Sequence, residues 1–178
     1  MELRTYTSSL DRGASRVIEV AWYLAGLALS SSVPGSWWRV RLLRGFGARI
    51  GVGVVLKPRL RVKFPWRLSV GDWSWIGEGC WIDNLDHVVI GSNCCISQGC
   101  YLCTGSHDLS SRTFALRMAP IVIEDHTWIC AMSVIAPGAR ITEGSVCSLG
   151  SVISGSTREW TIAKQSSSTV ELERRIIR

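Results

Sequence analysis

From residue 50 onward, aliphatic or small apolar residues return every six positions. They stand at Ile50, Leu56 and Val62, at Val70, Ile76 and Ile82, at Ile90, Ile96 and Leu102, and at Ile123, Ile129, Ile135, Ile141, Cys147 and Ile153. Four residues after an aliphatic position comes a small or modest one: Ser74, Cys80, Cys94, Cys100, Ser106, Thr127, Ser133, Ala139, Ser145 and Ser151. A period of six belongs to neither an amphipathic helix nor an alternating strand. It suits a triangular coil in which each hexad is one short strand and one turn, and three hexads make a rung. The aliphatic side chain points into a narrow core, stacked over its equivalents. The small residue lies near the corner, where little space remains. Each rung covers the one beneath, so stability accumulates from neighbour interfaces. The repeat therefore predicts an all-β fold, a left-handed parallel β-helix of hexapeptide repeats over residues 48–155.

The phase slips three times. The spacing is eight from Val62 to Val70 and from Ile82 to Ile90, which asks for a two-residue bulge at a corner, and 21 from Leu102 to Ile123. Fifteen residues beyond one hexad have to leave the coil, which gives an excursion loop at 103–122. Long excursions from a compact scaffold tend to carry function.

Residues 1–47 read as a helical N-terminal extension, and 156–178 as a C-terminal segment with a short helix over 170–178 (VELERRIIR). The apolar run 17–29 contains Glu19 and has 13 residues, whereas a spanning helix takes about 20. Residues 37–44 (WWRVRLLR) mix tryptophans and aliphatics with three arginines. Two readings stay open for them. One is a helix pair covering an end of the coil, whose edges would otherwise template aggregation. The other is an interfacial helix making peripheral contact with a membrane.

The formal charge of +6 fits nucleic acid, an anionic membrane surface or a phosphorylated substrate. No nucleic-acid-binding signature accompanies it, so nucleic acid is not an expected partner. The first residues, MELRTYTSSLDRG, lack the apolar stretch of a secretory leader. The seven cysteines then read as reduced and structural in a cytoplasmic protein. Cys80, Cys94 and Cys100 fill small positions and Cys147 an aliphatic one, as small hydrophobes do. Cys100 and Cys103 form a lone CxxC with no second pair, and no metal is expected.

His107 stands in CTGSHD (103–108), at the start of the excursion. A neutral imidazole is the usual base for taking a proton from a hydroxyl near neutral pH. Asp108 beside it either orients the ring or holds the loop through an Asx-type turn.

CTGSHD, MAPIVIEDHTWI (118–129), VIAPGARI (134–141) and LGSVIS (149–154) resemble the hexapeptide-repeat acyltransferases. WRVRLLRGFGARIG (38–51), FPWRLSVGDWSWIGEGCWI (64–82) and ISQGCYLCTGSHD (96–108) narrow the resemblance to the colanic acid biosynthesis acetyltransferases of exopolysaccharide assembly. The resemblance implies transfer of an acetyl group from acetyl-CoA to a sugar hydroxyl of an exopolysaccharide precursor. His107 would be the base. The CoA arm would lie between two coils of a homotrimer, near Trp128 and the backbone amides of Ala131, Ser148, Leu149 and Ser154. The acceptor, a sugar or lipid-linked oligosaccharide, would meet Asp83 and Asn84 at the bulge one rung earlier. A protein of this kind would be cytoplasmic, at or near the inner membrane. Two departures stand out. Ser154-Gly155-Ser156 replaces the lysine usual after the last repeat, and Lys164-Gln-Ser-Ser-Ser replaces the usual closing turn. Arg158, Lys164 or Arg174 would have to meet the CoA phosphates instead.

Three other readings are weighed against this one. A Cys103–His107 nucleophile pair is one. A zinc site of His87, His107 and His126 is another, although spacings of 20 and 19 supply no short ligand pair. The third is a non-catalytic β-helix scaffold, which the altered tail would suit.

Overall fold

The computed structural model describes residues 3–6 and 10–164. Short parallel strands wind into three stacked sheets, and the faces hold five, six and five strands. Face one carries Ile50, Val70, Ile90, Ile123 and Ile141 in register; face two carries Leu56, Ile76, Ile96, Ile129, Cys147 and Ala163; face three carries Val62, Ile82, Leu102, Ile135 and Ile153. The fold is the left-handed parallel β-helix that the repeat predicts. All fifteen periodic positions are buried. Each full rung thus buries three inward side chains, all aliphatic except Cys147, and an aliphatic one contributes about 1.5–3 kcal/mol. The coil also runs past residue 155. Ile162–Ala163 joins face two beside Val146–Cys147 and begins a sixth rung.

The small positions are buried as expected, from Ser74 and Cys80 to Ser145 and Ser151, with one exception. Ser106 is exposed and opposite Arg117 in a two-stranded antiparallel hairpin. It follows the period in sequence, but the chain has already left the coil. Thr104, fully buried, turns that corner instead.

Two corners repeat a left-handed backbone position, which glycine shares with larger residues. Trp73, Met132 and Trp160 have φ of 58°, 60° and 54°. Each lies over a glycine one rung earlier: Gly53, Gly99 and Gly144, all with positive φ. A β-carbon on any of these glycines would collide with the larger side chain above.

Helices α1 (Arg16–Leu29) and α2 (Trp37–Gly45) close the first rung. Ser15 caps α1, accepting from Ile18 N–H at 3.4 Å. The Trp22 indole N–H donates to the Val62 carbonyl at 3.1 Å. Ser36 takes the Leu56 N–H at 2.8 Å, and Arg44 donates to the carbonyls of Ile50 and Gly51. Several backbone groups on the open edge of the coil are thereby satisfied. Arg39 is fully buried and donates to the carbonyls of Gly35, Val33 and Ser31 at 2.6, 2.5 and 3.1 Å. Of the arginines in 37–44, Arg39 and Arg44 therefore serve the fold. The covering role accounts for this segment, and the membrane contact expected of it loses those two carriers. The expected helix at 170–178, and Arg174 with it, lie outside the described residues.

Candidate active site

All three phase slips open on one corner, between face three and face one. The first-rung bulge contains the turn Pro65–Arg67, the second spans residues 83–87, and the third is the excursion. Side chains tie these layers together. Asn84 is fully buried: its Oδ1 accepts the Phe64 N–H at 3.0 Å and its Nδ2 donates to the Phe64 carbonyl at 2.6 Å. That clamps the second bulge onto the first and turns the amide away from any acceptor, so Asn84 leaves the expected acceptor set. Thr104 accepts the Asp86 N–H at 2.9 Å and donates to the Asp83 carbonyl at 3.2 Å. Gly105 rests on Leu85, where a β-carbon would stand 2.6 Å from the leucine methyl.

The excursion is more ordered than a loop. Gly105–His107 pairs antiparallel with Leu116–Met118, placing His107 opposite Leu116. Neither three-residue strand has a period to announce it. Asp108 locks the tip: its Oδ1 accepts the Ser110 N–H at 2.9 Å and the Ser110 hydroxyl at 2.6 Å, and its Oδ2 meets Arg117 at 2.5 Å. The Ser110 hydrogen bonds, with help from Arg117, hold its carboxyl down at about 2. Of the two roles open to Asp108, the hydrogen bonds are those of the Asx-type turn.

The His107 ring is fixed by Phe114 twice. Its Nδ1 lies 2.8 Å from the Phe114 carbonyl. A carbonyl only accepts, so Nδ1 carries the hydrogen and the neutral ring keeps its lone pair at Nε2. The Phe114 ring stacks on the imidazole at 3.7 Å and 9°, and Tyr6 meets it edge-on at 5.8 Å. Cys103 donates its thiol hydrogen to the Gly105 carbonyl at 3.1 Å, which is not the alignment of a Cys–His pair. Phe114, Tyr6 and Arg117 join this candidate site without any signal in the sequence, since they lie outside the period.

Below the hairpin, face three presents a polar ladder. Asp83 Oδ1 pairs with Lys63 at 3.0 Å, and the Tyr101 hydroxyl donates to Asp83 Oδ2 at 3.0 Å. Burial first, then its hydrogen-bonded neighbours, push the Tyr101 phenol above its ordinary range, so it stays a neutral donor. Trp81 stacks on Tyr101 at 4.7 Å, and Arg61 lies over Trp81 at 4.4 Å.

The remaining expected residues stand elsewhere. Trp128 is on face two, with its indole N–H on the Ser97 hydroxyl at 3.0 Å. Ala131 and Leu149 occupy successive rungs of the corner between faces two and three, and the Gly150 N–H donates to the Ala131 carbonyl at 2.9 Å. Among the described residues, no hydrogen bond engages the backbone N–H of Ala131 or Leu149. The Ser148 N–H, in contrast, donates to the Ala163 carbonyl at 2.9 Å. Its amide belongs to the sixth-rung pairing, which lies beyond the span 48–155 that the repeat predicts. Ser154 is exposed at the end of face three. A single chain thus splits the expected site, with His107, Asp83, Asp108 and Ser154 at one end of face three and Trp128, Ala131 and Leu149 at or beyond the other. Among the described residues, no group of three metal-ligating side chains is placed to hold one ion.

Comparison with known proteins supports the resemblance. The chain is 43% identical over 109 residues to WcaF of Escherichia coli K12, a candidate colanic acid biosynthesis acetyltransferase, covering 61% of this chain and 60% of that protein. It is 30% identical over 104 residues to nodulation protein L of Rhizobium leguminosarum bv. viciae, covering 57% and 54%. The match thus spans about 60% of the length of the first of these relatives. No family model matches. Among solved structures, the hexapeptide-repeat acetyltransferase VCA0836 of Vibrio cholerae, complexed with acetyl-CoA, superposes with a TM-score of 0.79 at 22% identity over 92% of each chain. A maltose O-acetyltransferase of Clostridium difficile gives 0.77 at 17% identity, covering 92% of this chain and 90% of that one. At these identities the likeness speaks for the fold.

Proposed function

We propose that this protein is an acetyl-CoA-dependent O-acetyltransferase acting on a sugar hydroxyl, in an exopolysaccharide precursor, with His107 as the general base. The observation that carries the reading is the Nδ1–H of His107 held on the Phe114 carbonyl at 2.8 Å, which leaves Nε2 free to take a proton. The relatives named as acetyltransferases, and the fold shared with a structure that holds acetyl-CoA, supply the chemistry for that base to serve.

The reaction runs by direct transfer. Nε2 takes the hydroxyl proton as the sugar oxygen bonds to the thioester carbonyl carbon. The oxyanion that develops is stabilised by backbone N–H groups. Collapse breaks the carbon–sulfur bond, and the imidazolium returns its proton to the leaving thiolate. Holding both substrates in one groove removes much of the entropic barrier. Asp83 and Tyr101 meet the acceptor sugar.

The split of the site across face three favours a homotrimer. His107 of one copy would then work against the corner of Trp128, Ala131 and Leu149 from its neighbour. The outward apolar positions Trp75, Trp128 and Ile162 on face two and Val152 on face three, all about half-exposed or more, would be covered by that contact. One observation favours the scaffold reading instead: Ser154-Gly155-Ser156 offers no cation for the CoA phosphates.

Thiol release from acetyl-CoA, measured over a panel of nucleotide sugars and oligosaccharides, separates the two. Turnover is expected, and His107→Ala should lower it by about two to four orders of magnitude. An unchanged mutant rate would overturn the assigned base. No turnover, with no acetyl-CoA binding by calorimetry, would give the scaffold reading the lead.

A further inference from the structure

The proposed reaction leaves the outer surface of α1 unexplained. Val17, Val20, Leu24 and Leu27 are spaced three, four and three residues apart, so they form one stripe along the helix. Their exposures are 79, 63, 62 and 60%. The opposite side of α1 is the packed one, with Trp22 and Leu29 buried. A helix in contact with water normally turns a polar face outward; this one is apolar on both sides. Tyr23, also exposed, and Arg16 flank the stripe.

The charge around it is lopsided. Residues 14–63, which make up α1, α2 and the first rung, contain nine basic residues and one acidic one, a net of +8. The whole chain totals +6, so everything else nets −2. Glu19, the one acid, is paired with Arg12 at 2.8 Å. Arg16, Arg41, Arg49 and Lys57 are exposed at this end. With 14 residues, α1 does not cross a bilayer, and no helix among the described residues is long and apolar enough to do so.

We infer that α1 is an interfacial helix that docks the protein on an anionic lipid surface, its stripe in the acyl boundary and the basic end of the coil against the headgroups. Apolar insertion and electrostatic attraction together make such contacts stable where either alone is marginal. The helix is rigidly joined to the coil through Trp22. Docking therefore orients the molecule with its first rung toward the bilayer and the His107 hairpin two rungs above, about 10 Å away at the spacing of neighbouring strands.

Sedimentation of the full chain with vesicles tests this, using phosphatidylcholine alone and phosphatidylcholine with 30% phosphatidylglycerol. The wild type should pellet with the anionic vesicles and at least tenfold less with the zwitterionic ones. The double variant Val17→Asp, Leu24→Asp should lose binding at least tenfold while keeping its melting temperature, because both side chains stand in solvent. Arg16→Glu with Arg41→Glu should weaken binding and flatten its salt dependence. Equal pelleting of wild type and the aspartate variant overturns the inference. So does a wild type that ignores both vesicles; if light scattering then shows a smaller particle for the aspartate variant, the stripe is a contact between copies. None of these readouts depends on acetyl transfer.

Discussion

At the scale of single residues, the base proposed at His107 depends on groups that would do no chemistry themselves. The Phe114 backbone sets its tautomer and the Phe114 ring its plane. Phe114→Ala keeps the carbonyl and removes the stack. A pair of this kind is worth about 0.5–1.5 kcal/mol, so kcat/KM should fall by about 2- to 10-fold, far less than for His107→Ala. A loss as large as that of His107→Ala would mean that the carbonyl contact had gone as well. Asp108 carries a pH signature. Its carboxyl sits at about 2 in the fold against an ordinary 3.8. A depressed carboxylate contributes stability that is complete above the unfolded value and is lost as pH falls through the folded one. The hairpin tip should therefore hold at pH 5 and loosen between about pH 4 and pH 2. The Ser110 amide resonance should titrate with a midpoint near 2; a midpoint near 4 would show that Asp108 does not hold the turn. His107 and Asp108 could be picked out of the sequence, but Phe114 could not. Its contact is made by a backbone carbonyl seven residues along, which has no residue-type signature.

At the scale of elements, the coil was legible because each hexad repeats one steric problem. An aliphatic side chain or a small corner residue has a single place to go. The departures share a cause: the period describes the coil and says nothing once the chain leaves it. Ser106 keeps the phase by accident inside the hairpin, and Ser148 pairs with a sixth-rung strand whose Ala163 is too small to announce itself. Asn84 looks like a polar corner open to ligand, yet the bulge beneath it offers a backbone N–H and carbonyl that fit a carboxamide. At the left-handed corner position the structure adds a steric constraint: a glycine beneath a large side chain of the next rung has no room for a β-carbon. Gly144 lies under the Trp160 ring, whereas nothing stands within 4 Å of a β-carbon on Gly150; their φ values are 66° and 65°. Alanine at Gly150 should cost only the backbone strain, about 1–2 kcal/mol. Alanine at Gly144 should cost that and a steric term of about 1–3 kcal/mol. Urea unfolding of the two variants isolates the second quantity, and Trp160→Ala should recover it in the Gly144→Ala background. Equal destabilisation would show that the tryptophan yields without cost.

At the scale of the whole molecule, one chain holds the two halves of the proposed site apart. The hairpin hangs from one end of face three, and the corner of Ala131 and Leu149 lies at the other. A rigid coil with a packed core does not fold across its own face. Either one half-site is irrelevant or a second copy supplies it. Leu149 offers a clean way to disable the corner. It precedes Gly150, whose φ is 65°, in the turn position where Pro58 stands on the first rung, so proline should fit while removing the N–H and an exposed side chain. A corner variant joining Leu149→Pro to Trp128→Ala should fold, keep His107 and bind acetyl-CoA poorly. Mixed with an equal amount of His107→Ala chains and reassembled, it should regain activity that neither parent has. In a cyclic trimer of randomly mixed chains, about one site in four pairs an intact hairpin with an intact corner, so about a quarter of wild-type turnover is expected. Recovery no greater than the two parents' residual rates would place the whole reaction within one copy. The corner would then have to be dropped from the site, and the apolar positions on faces two and three would need another partner.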